Sequence, residues 1–188
     1  QELIGATRDR FDALRGRRMS LVFQDPMTAL TPHMTVGAQL CEILQHHEGT
    51  RRSEAKRRAL EIMERVRITD PARRFDMYPF ELSGGMRQRI VIATALVLRP
   101  ALLIADEPTT ALDVTIQAQI LSEVQSLARE QGTAIIWISH DLSVVSGLAD
   151  DVAVMYCGQI VESGPVDKVL VSPGHPYTKG LIGSVASQ

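Results

Sequence analysis

The sequence predicts an α/β fold, in which helices flank a mostly parallel sheet and an α-helical lobe is inserted into the core. From residue 101 onward, short apolar runs typical of buried strands alternate with segments that have the periodicity of amphipathic helices. Residues 30–100 contain no clear strand pattern, so we assign them to the inserted lobe. The 188 residues are 45% hydrophobic and 22% charged, a composition that supports a buried core and excludes a disordered or fibrous chain.

The first part of the chain predicts one strand followed by helices. An apolar run at residues 19–23 is broken by Gln-Asp-Pro, as expected for a buried strand that ends in a loop. Thr35 is a candidate N-cap for a helix that extends to His46, and Ser53 is a candidate N-cap for a helix that extends to Val66. After a stretch rich in proline and glycine, residues 86–98 predict a largely buried helix.

The last part of the chain predicts a regular alternation of strands and helices. Gly132 is expected to end the longest of these helices, because glycine adopts the left-handed conformation that often follows a helix. Such alternation favours parallel strands joined by crossover helices. The predicted strands lie at residues 101–105, 133–138 and 152–156, and the predicted helices at residues 114–131 and 141–148.

Charge, hydropathy and cysteine content exclude several classes of protein. A formal charge of −2 gives no electrostatic footprint for nucleic acid. The best apolar run, residues 90–98, is far shorter than the roughly 18 residues of a membrane span. Cys41 and Cys157 lie far apart in unrelated contexts, which favours a reducing compartment over a disulfide. The N-terminus has no initiating Met and no signal-peptide pattern, so we expect the chain to be a fragment.

Polar side chains directly follow three of the predicted strands. In open α/β sheets the ligand site lies at the carboxyl ends of the strands, so these side chains are candidates for chemistry. Asp106 and Glu107 could hold Mg²⁺ and orient a water, or could simply begin the turn before Pro108. His140 could donate to a phosphate oxygen, and Gln24 could ligate a metal or orient a water, although both residue types are also common in turns.

The segment Leu82-Ser83-Gly84-Gly85 adds a candidate phosphate site. Ser and two glycines before a helix provide free N–H groups and the positive end of the helix dipole, and the missing Cβ atoms let an anion approach the backbone. A helix-capping loop without function would use the same residue types. The order of the motifs along the chain decides between these readings.

That order resembles the nucleotide-binding subunits of ATP-binding cassette (ABC) transporters. The resemblance covers nearly the whole chain and implies a P-loop NTPase-like ABC ATPase core with a helical lobe. In chain order the matching motifs are Gln24 as the Q-loop, Leu82-Ser83-Gly84-Gly85 as the signature motif, Leu102 to Asp106 as the Walker B strand, Glu107 as the catalytic carboxylate, Ala111-Leu112-Asp113 as the D-loop and His140 as the switch histidine.

Three further segments resemble the bacterial oligopeptide and dipeptide importer branch, which also contains nickel importers. These segments are residues 23–32 around the Q-loop, Met86 to Arg89 after the signature motif, and residues 172–179, Ser-Pro-Gly-His-Pro-Tyr-Thr-Lys. By its chemistry alone, the last of these predicts a capped turn that leads into a short helix.

The family's P-loop, Gly-x-x-x-x-Gly-Lys-Ser/Thr, does not occur in these residues. The resemblance therefore implies that the chain begins inside the ATPase core, after the P-loop helix, so that the core is incomplete. We expect an uncovered sheet face and poor stability of the chain alone. The expected division is residues 1–29 as a partial core with the Q-loop, 30–100 as the helical lobe with the signature motif, 101–165 as the core with Walker B, D-loop and switch histidine, and 166–188 as the C-terminal segment of the importer type.

The resemblance implies that two cassettes enclose two ATP molecules head to tail. Ser83, Gly84 and Gly85 would contact the γ-phosphate of the ATP held by the partner's P-loop. Asp113 would link the two sites across the dimer.

The same resemblance assigns roles in hydrolysis. Asp106 and Gln24 would help to hold Mg²⁺, and Glu107 would polarise the attacking water. His140 would contact the γ-phosphate. Phosphoryl transfer depends mainly on positioning and charge neutralisation, which these residue types supply.

The implied partners are a second cassette, identical or paralogous, two transmembrane permease subunits and, indirectly, an extracytoplasmic solute-binding protein. The implied location is the cytoplasmic face of a bacterial inner membrane, where the subunit is peripheral. Two alternatives stay open: an ABC ATPase that acts on nucleic acid or ribosomes, and a truncated, non-catalytic cassette. The sequence shows neither the long coiled-coil insertion nor the second cassette typical of the first alternative.

Overall fold

The computed structural model describes residues 3–109 and 113–185, and the chain divides into two compact units after Ile138. We describe each unit separately. The first unit contains, in chain order, α1 (Arg8–Leu14), β1 (Met19–Val22), α2 (Pro26–Ala29), α3 (Val36–Glu48), α4 (Arg52–Arg65), α5 (Pro71–Phe75), a 3₁₀ turn (Pro79–Glu81), α6 (Gly84–Leu96), β2 (Leu102–Asp106), α7 (Val114–Gln131) and β3 (Ala134–Ile138).

The second unit is smaller and contains one antiparallel hairpin among short helices. Its elements are α8 (Leu142–Leu148), β4 (Asp151–Tyr156), β5 (Gln159–Pro165), α9 (Val166–Val171) and α10 (Pro176–Val185). No helix among the described residues of either unit is both long enough and apolar enough to cross a membrane.

The sheet of the first unit is entirely parallel and has the strand order β1-β2-β3. Its register pairs Val22 with Ala105 and Asp106 with Ile138. The carboxyl ends of all three strands therefore meet at one edge of the sheet. The predicted α/β class with a mostly parallel sheet is confirmed, while the division of the chain at residues 29, 100 and 165 stays a prediction.

One face of this sheet packs against helices and the other does not. Val22, Leu103 and Ala105 on the packed face are at most 2% exposed. The same core contains the fully buried side chains of the helical segment: Val36, Leu40, Leu44, Met63, Ile90 and Leu96. Burying each side chain of this size contributes about 1.5–3 kcal/mol.

The opposite face of the sheet leaves large apolar side chains in contact with solvent. Leu21 and Phe23 are 47% and 55% exposed, and Ile136 and Ile138 are 49% and 47% exposed. The register places Leu21 beside Ile104 and Ile104 beside Ile136, so the exposed groups lie in one row across the strands. This is the uncovered face expected from the sequence.

Most predicted elements have the expected positions, and the exceptions have local causes. The Thr35 hydroxyl accepts a hydrogen bond from the Ala38 N–H and caps α3 as predicted, but the Ser53 cap is wrong. Helix α4 begins at Arg52, so Ser53 lies within its first turn and Arg51 holds the cap position without a side-chain bond. Strand β5 was not predicted, because Gly164 and Pro165 interrupt its apolar pattern.

The close approach of α3 to α5 depends on the absence of a side chain at Gly37. A Cβ at this position would lie 2.4 Å from the ring of the buried Phe75. We expect Gly37→Ala to lower the free energy of unfolding of the full-length protein by about 1–3 kcal/mol, because the core would have to expand. In α8, Gly147 faces open space, so Gly147→Ala should be neutral or stabilise by up to about 1 kcal/mol. Urea unfolding of both variants tests this, and equal losses would contradict it.

Candidate functional site

Gln24 and Glu107 meet at the carboxyl edge of the parallel sheet. Gln24 follows the last residue of β1 by two positions, and Glu107 follows Ala105, the register partner of that residue, by two positions. The Gln24 Nε2 donates a hydrogen bond of 3.1 Å to the Glu107 Oε2, although the two residues are 83 positions apart in the chain. The structure therefore brings together two of the residues that the sequence singled out.

Asp106 and Glu107 are neighbours in the chain but differ in backbone conformation. Asp106 is the last residue of β2, whereas Glu107 has a positive φ of 44°, a conformation that non-glycine residues rarely adopt. The Glu107 N–H donates to the Ile138 carbonyl at 3.0 Å and so remains tied to the end of β3. Strain of this kind is concentrated at functional sites, where the surrounding structure maintains it.

The donor atoms at this edge fit a magnesium ion that is shared with a phosphate. Mg²⁺ prefers oxygen ligands and is often held by only one or two protein groups, with phosphate and water completing its shell. Asp106 supplies an exposed carboxylate. Because the Gln24 amide nitrogen binds Glu107, its carbonyl oxygen is the atom left for a cation. The described residues contain no cluster of three or more His, Cys, Asp or Glu side chains suited to a metal.

The signature segment forms the start of α6. The Ser83 hydroxyl accepts a hydrogen bond of 3.3 Å from the Met86 N–H and caps the helix, and Gly84 and Gly85 are its first two residues. Ser83 is exposed, and Gly84 and Gly85 are half-buried. A helix start of this kind suits an anion.

Asp113 caps the neighbouring helix α7 in the same way. Its Oδ1 accepts a hydrogen bond of 2.9 Å from the Ile116 N–H. Ile116 also contacts the start of α6, because a Cβ at Gly85 would lie only 3.2 Å from its Cγ2 atom. The structure thus places Asp113 and the signature segment on two helix starts that pack together; Ala111 and Leu112 of the D-loop prediction lie outside the described residues.

His140 belongs to the second unit and follows β3 by two positions in the chain. Its side chain is exposed. The next residue, Asp141, caps α8 by accepting a hydrogen bond of 2.9 Å from the Ser143 N–H. The structure therefore places His140 just before a capped helix, and its role stays a prediction.

The C-terminal segment of the second unit is held by a carboxylate. Glu162 on β5 accepts hydrogen bonds from the Gly174 N–H at 2.7 Å and the His175 N–H at 3.1 Å. The Thr178 side chain, followed by these two N–H groups, holds the pKa of Glu162 below its usual value. The His175 Nδ1 then accepts from the Tyr177 N–H at 3.1 Å. The capped turn and short helix predicted for residues 172–179 are present, with Glu162 as an anchor that the sequence did not reveal.

Arg89 is a buried charged residue to which the sequence analysis assigned no role. It lies on α6 and is only 8% exposed. The signal that could have found it is its position directly before the apolar segment 90–98. A guanidinium in such a place must be paired, because an unpaired buried charge is very costly.

These features define a P-loop NTPase-like α/β domain: it has a parallel sheet with carboxylates and an amide at its carboxyl edge, and it has a glycine-rich helix start. The family model described as ABC transporter matches residues 6–110. The chain belongs to the ABC transporter family.

Two curated relatives illustrate its place in that family. The oligopeptide transport ATP-binding protein OppD of Bacillus subtilis (strain 168) is 52% identical over 185 residues, which cover 98% of this chain and 52% of the relative. The oligopeptide transport ATP-binding protein AmiE of Streptococcus pneumoniae serotype 4 is 53% identical over 175 residues, 93% of this chain and 49% of the relative. The chain thus spans about half the length of the curated relatives it matches.

Two solved structures of the ATP-binding cassette MJ0796 share the fold. The dimeric post-hydrolysis state bound to ADP and Pi is 26% identical with a TM-score of 0.75, and the match covers 86% of this chain and 68% of that one. A second dimeric structure, described as a bacterial ABC transporter cassette, is 24% identical with the same TM-score and covers 87% of this chain and 69% of that one.

Proposed function

We propose that this chain is part of the ATP-binding and ATP-hydrolysing subunit of an ABC importer, which powers the uptake of peptides or a related small solute. The observation that carries the proposal is the Gln24–Glu107 hydrogen bond beside Asp106 at the carboxyl edge of the sheet. The names of the relatives, which are oligopeptide transport ATP-binding proteins, support the substrate class.

In this proposal Glu107 orients and polarises the attacking water. The bond from Gln24 holds the carboxylate at the edge of the sheet, and a carboxylate in this place can accept a proton from water. Asp106 and the Gln24 carbonyl hold Mg²⁺, which when bound neutralises charge on the phosphates. His140 contacts the γ-phosphate as a hydrogen-bond donor.

In this proposal the signature segment contacts the ATP that is bound by a partner cassette. Its start, in which Ser83 is exposed and Gly84 and Gly85 are half-buried, has no bulky side chain and begins a helix, which suits the γ-phosphate. Asp113 lies on the adjacent helix start and links the two sites of a head-to-tail dimer. The dimeric state of the MJ0796 cassettes supports this arrangement.

The proposed partners are a second cassette, identical or paralogous, two transmembrane permease subunits and, through them, an extracytoplasmic solute-binding protein. The proposed location is the cytoplasmic face of a bacterial inner membrane. The net charge of −2 argues against nucleic acid as a partner. We further propose that residues 30–100 form the helical lobe that communicates with the permeases, between core segments 1–29 and 101–165, and that residues 166–188 form the C-terminal segment.

A comparison of two lengths of the chain tests the proposal. We expect no ATP turnover from these 188 residues, and turnover from a version extended upstream by about 60 residues of its native reading frame, the length of a βαβ unit with its P-loop. Coupled-enzyme assay of phosphate release measures both. An extended version that neither binds nor hydrolyses ATP would contradict the proposed function, and hydrolysis by the short chain would contradict the role of an upstream phosphate-binding loop.

A further inference from the structure

We propose that Arg89 and Glu123 are positioning residues that hold the signature segment against the start of α7. The proposal rests on the proposed function, in which the starts of α6 and α7 together face the ATP of the partner cassette. It goes beyond that function by assigning a role to a buried ion pair away from the exposed residues of the site.

Helices α6 and α7 contact each other closely at their starts. The Cα of Gly85 packs against Ile116, and any side chain at this position would press on the Ile116 Cγ2 atom, 3.2 Å from a Cβ. Both caps, Ser83 and Asp113, are exposed above this contact. Apolar contact alone fixes the relative direction of two helices less firmly than a hydrogen bond does, because the hydrophobic effect is non-directional.

Arg89 supplies the directional contact one turn further along α6. Its guanidinium donates to the Glu123 carboxylate and, at 3.4 Å, to the Gln119 Oε1, both on α7. Gln119 and Glu123 are four positions apart, and Ile116 precedes Gln119 by three, so all three lie on one side of α7. The ion pair therefore continues the row of contacts that begins at Gly85.

The same guanidinium also binds the turn that follows α4. Arg89 donates to the Val66 carbonyl at 2.9 Å, in the turn that follows α4. The Arg67 Nε, from the same turn, lies 3.6 Å from the second oxygen of Glu123. The side chains of Arg89 and Glu123 are 10% and 11% exposed, so neither charge has water as a ready substitute partner.

These contacts make the starts of α6 and α7 one rigid piece. A fork-shaped guanidinium holds direction as well as distance, which an ammonium on a flexible stem does not. Displacement of a positioning group by about 1 Å can cost on the order of 100-fold in rate. Loosening the pair should therefore impair turnover at the partner's site without touching the residues that bind a subunit's own ATP.

The test uses the full-length subunit with Arg89→Lys and Glu123→Gln. Matched controls are Arg57→Lys and Glu61→Gln, which change an exposed ion pair of 3.2 Å on α4 in the same chemical way. We expect kcat to fall about tenfold or more in the first two variants, with the affinity of single subunits for ATP unchanged. Hydrogen exchange should become faster at the N–H groups of Met86, Arg87, Ile116 and Gln117, which bond to the cap residues of the two helices, and stay unchanged in β2.

The outcomes separate this inference from the proposed function. If the unmodified subunit does not hydrolyse ATP, the proposed function fails, while hydrogen exchange still reports whether Arg89 fixes the helix starts. Unchanged kcat in both variants overturns the positioning role. So does a loss of kcat without faster exchange at the two helix starts, or a loss shared by the α4 controls, since either result would mean that only general stability had changed.

Discussion

Glu107→Gln in the full-length subunit is expected to reduce ATP turnover by about 10²–10⁴-fold, the usual contribution of a positioned general base. The amide keeps the size of the side chain and can still accept the hydrogen bond from the Gln24 Nε2, so the edge of the sheet should keep its geometry. ATP binding should be retained, because the substitution removes only the proton acceptor. Steady-state phosphate release and equilibrium nucleotide binding, measured on the same preparation, give the two quantities.

Glu64→Gln is the matched control for this experiment. Glu64 is an exposed carboxylate on α4, so the same loss of charge there should leave kcat within about twofold of the unmodified protein, because exposed charges have small effects. Unchanged turnover in Glu107→Gln would remove Glu107 from the mechanism. Loss of ATP binding together with turnover would instead assign Glu107 to nucleotide or metal binding.

The ends of helices and the positions of most strands could be predicted from neighbouring residues in the sequence. The Thr35 cap of α3, the Val114 start of α7 and the Gly132 end of α7 each depend on a few neighbouring residues, and each is found as predicted. Gly132 has the expected positive φ of 68°. The positions of β1 to β4 follow for the same reason, since a buried strand needs only a short apolar run, whereas β5 was missed.

Contacts between distant segments could not be predicted from these rules. No residue pattern states that β1 pairs with β2, because 83 positions separate their first register partners, Met19 and Leu102. The Gln24–Glu107 bond depends on that pairing, so the sequence alone suggested both residues but not their contact. The ion pair between Arg89 and Glu123 could not be predicted either, because it depends on how α6 and α7 pack.

The chain of 188 residues alone is expected to self-associate, because one face of its parallel sheet is uncovered. Leu21, Ile104 and Ile136 lie side by side across β1, β2 and β3, and the outer two are about half exposed. Exposed apolar rows of this kind favour association, especially beside strand edges with free hydrogen-bonding groups. Light scattering should show particle mass rising with concentration, and heating should give a broad, irreversible transition.

A polar substitution on each face of the sheet separates self-association from general instability. Leu21→Thr with Ile136→Thr keeps branched side chains suited to strands and removes apolar surface from the uncovered face, so self-association should fall while the fold is kept. Leu103→Thr changes the packed face, where the side chain is 1% exposed, and should destabilise the chain by about 2–5 kcal/mol through lost burial and a buried hydroxyl. A monomeric unmodified chain with a sharp, reversible thermal transition would contradict the account, as would equal association of the double variant. If the Leu21→Thr/Ile136→Thr variant is monomeric while the unmodified chain and Leu103→Thr associate, the chains associate through the uncovered face of the sheet.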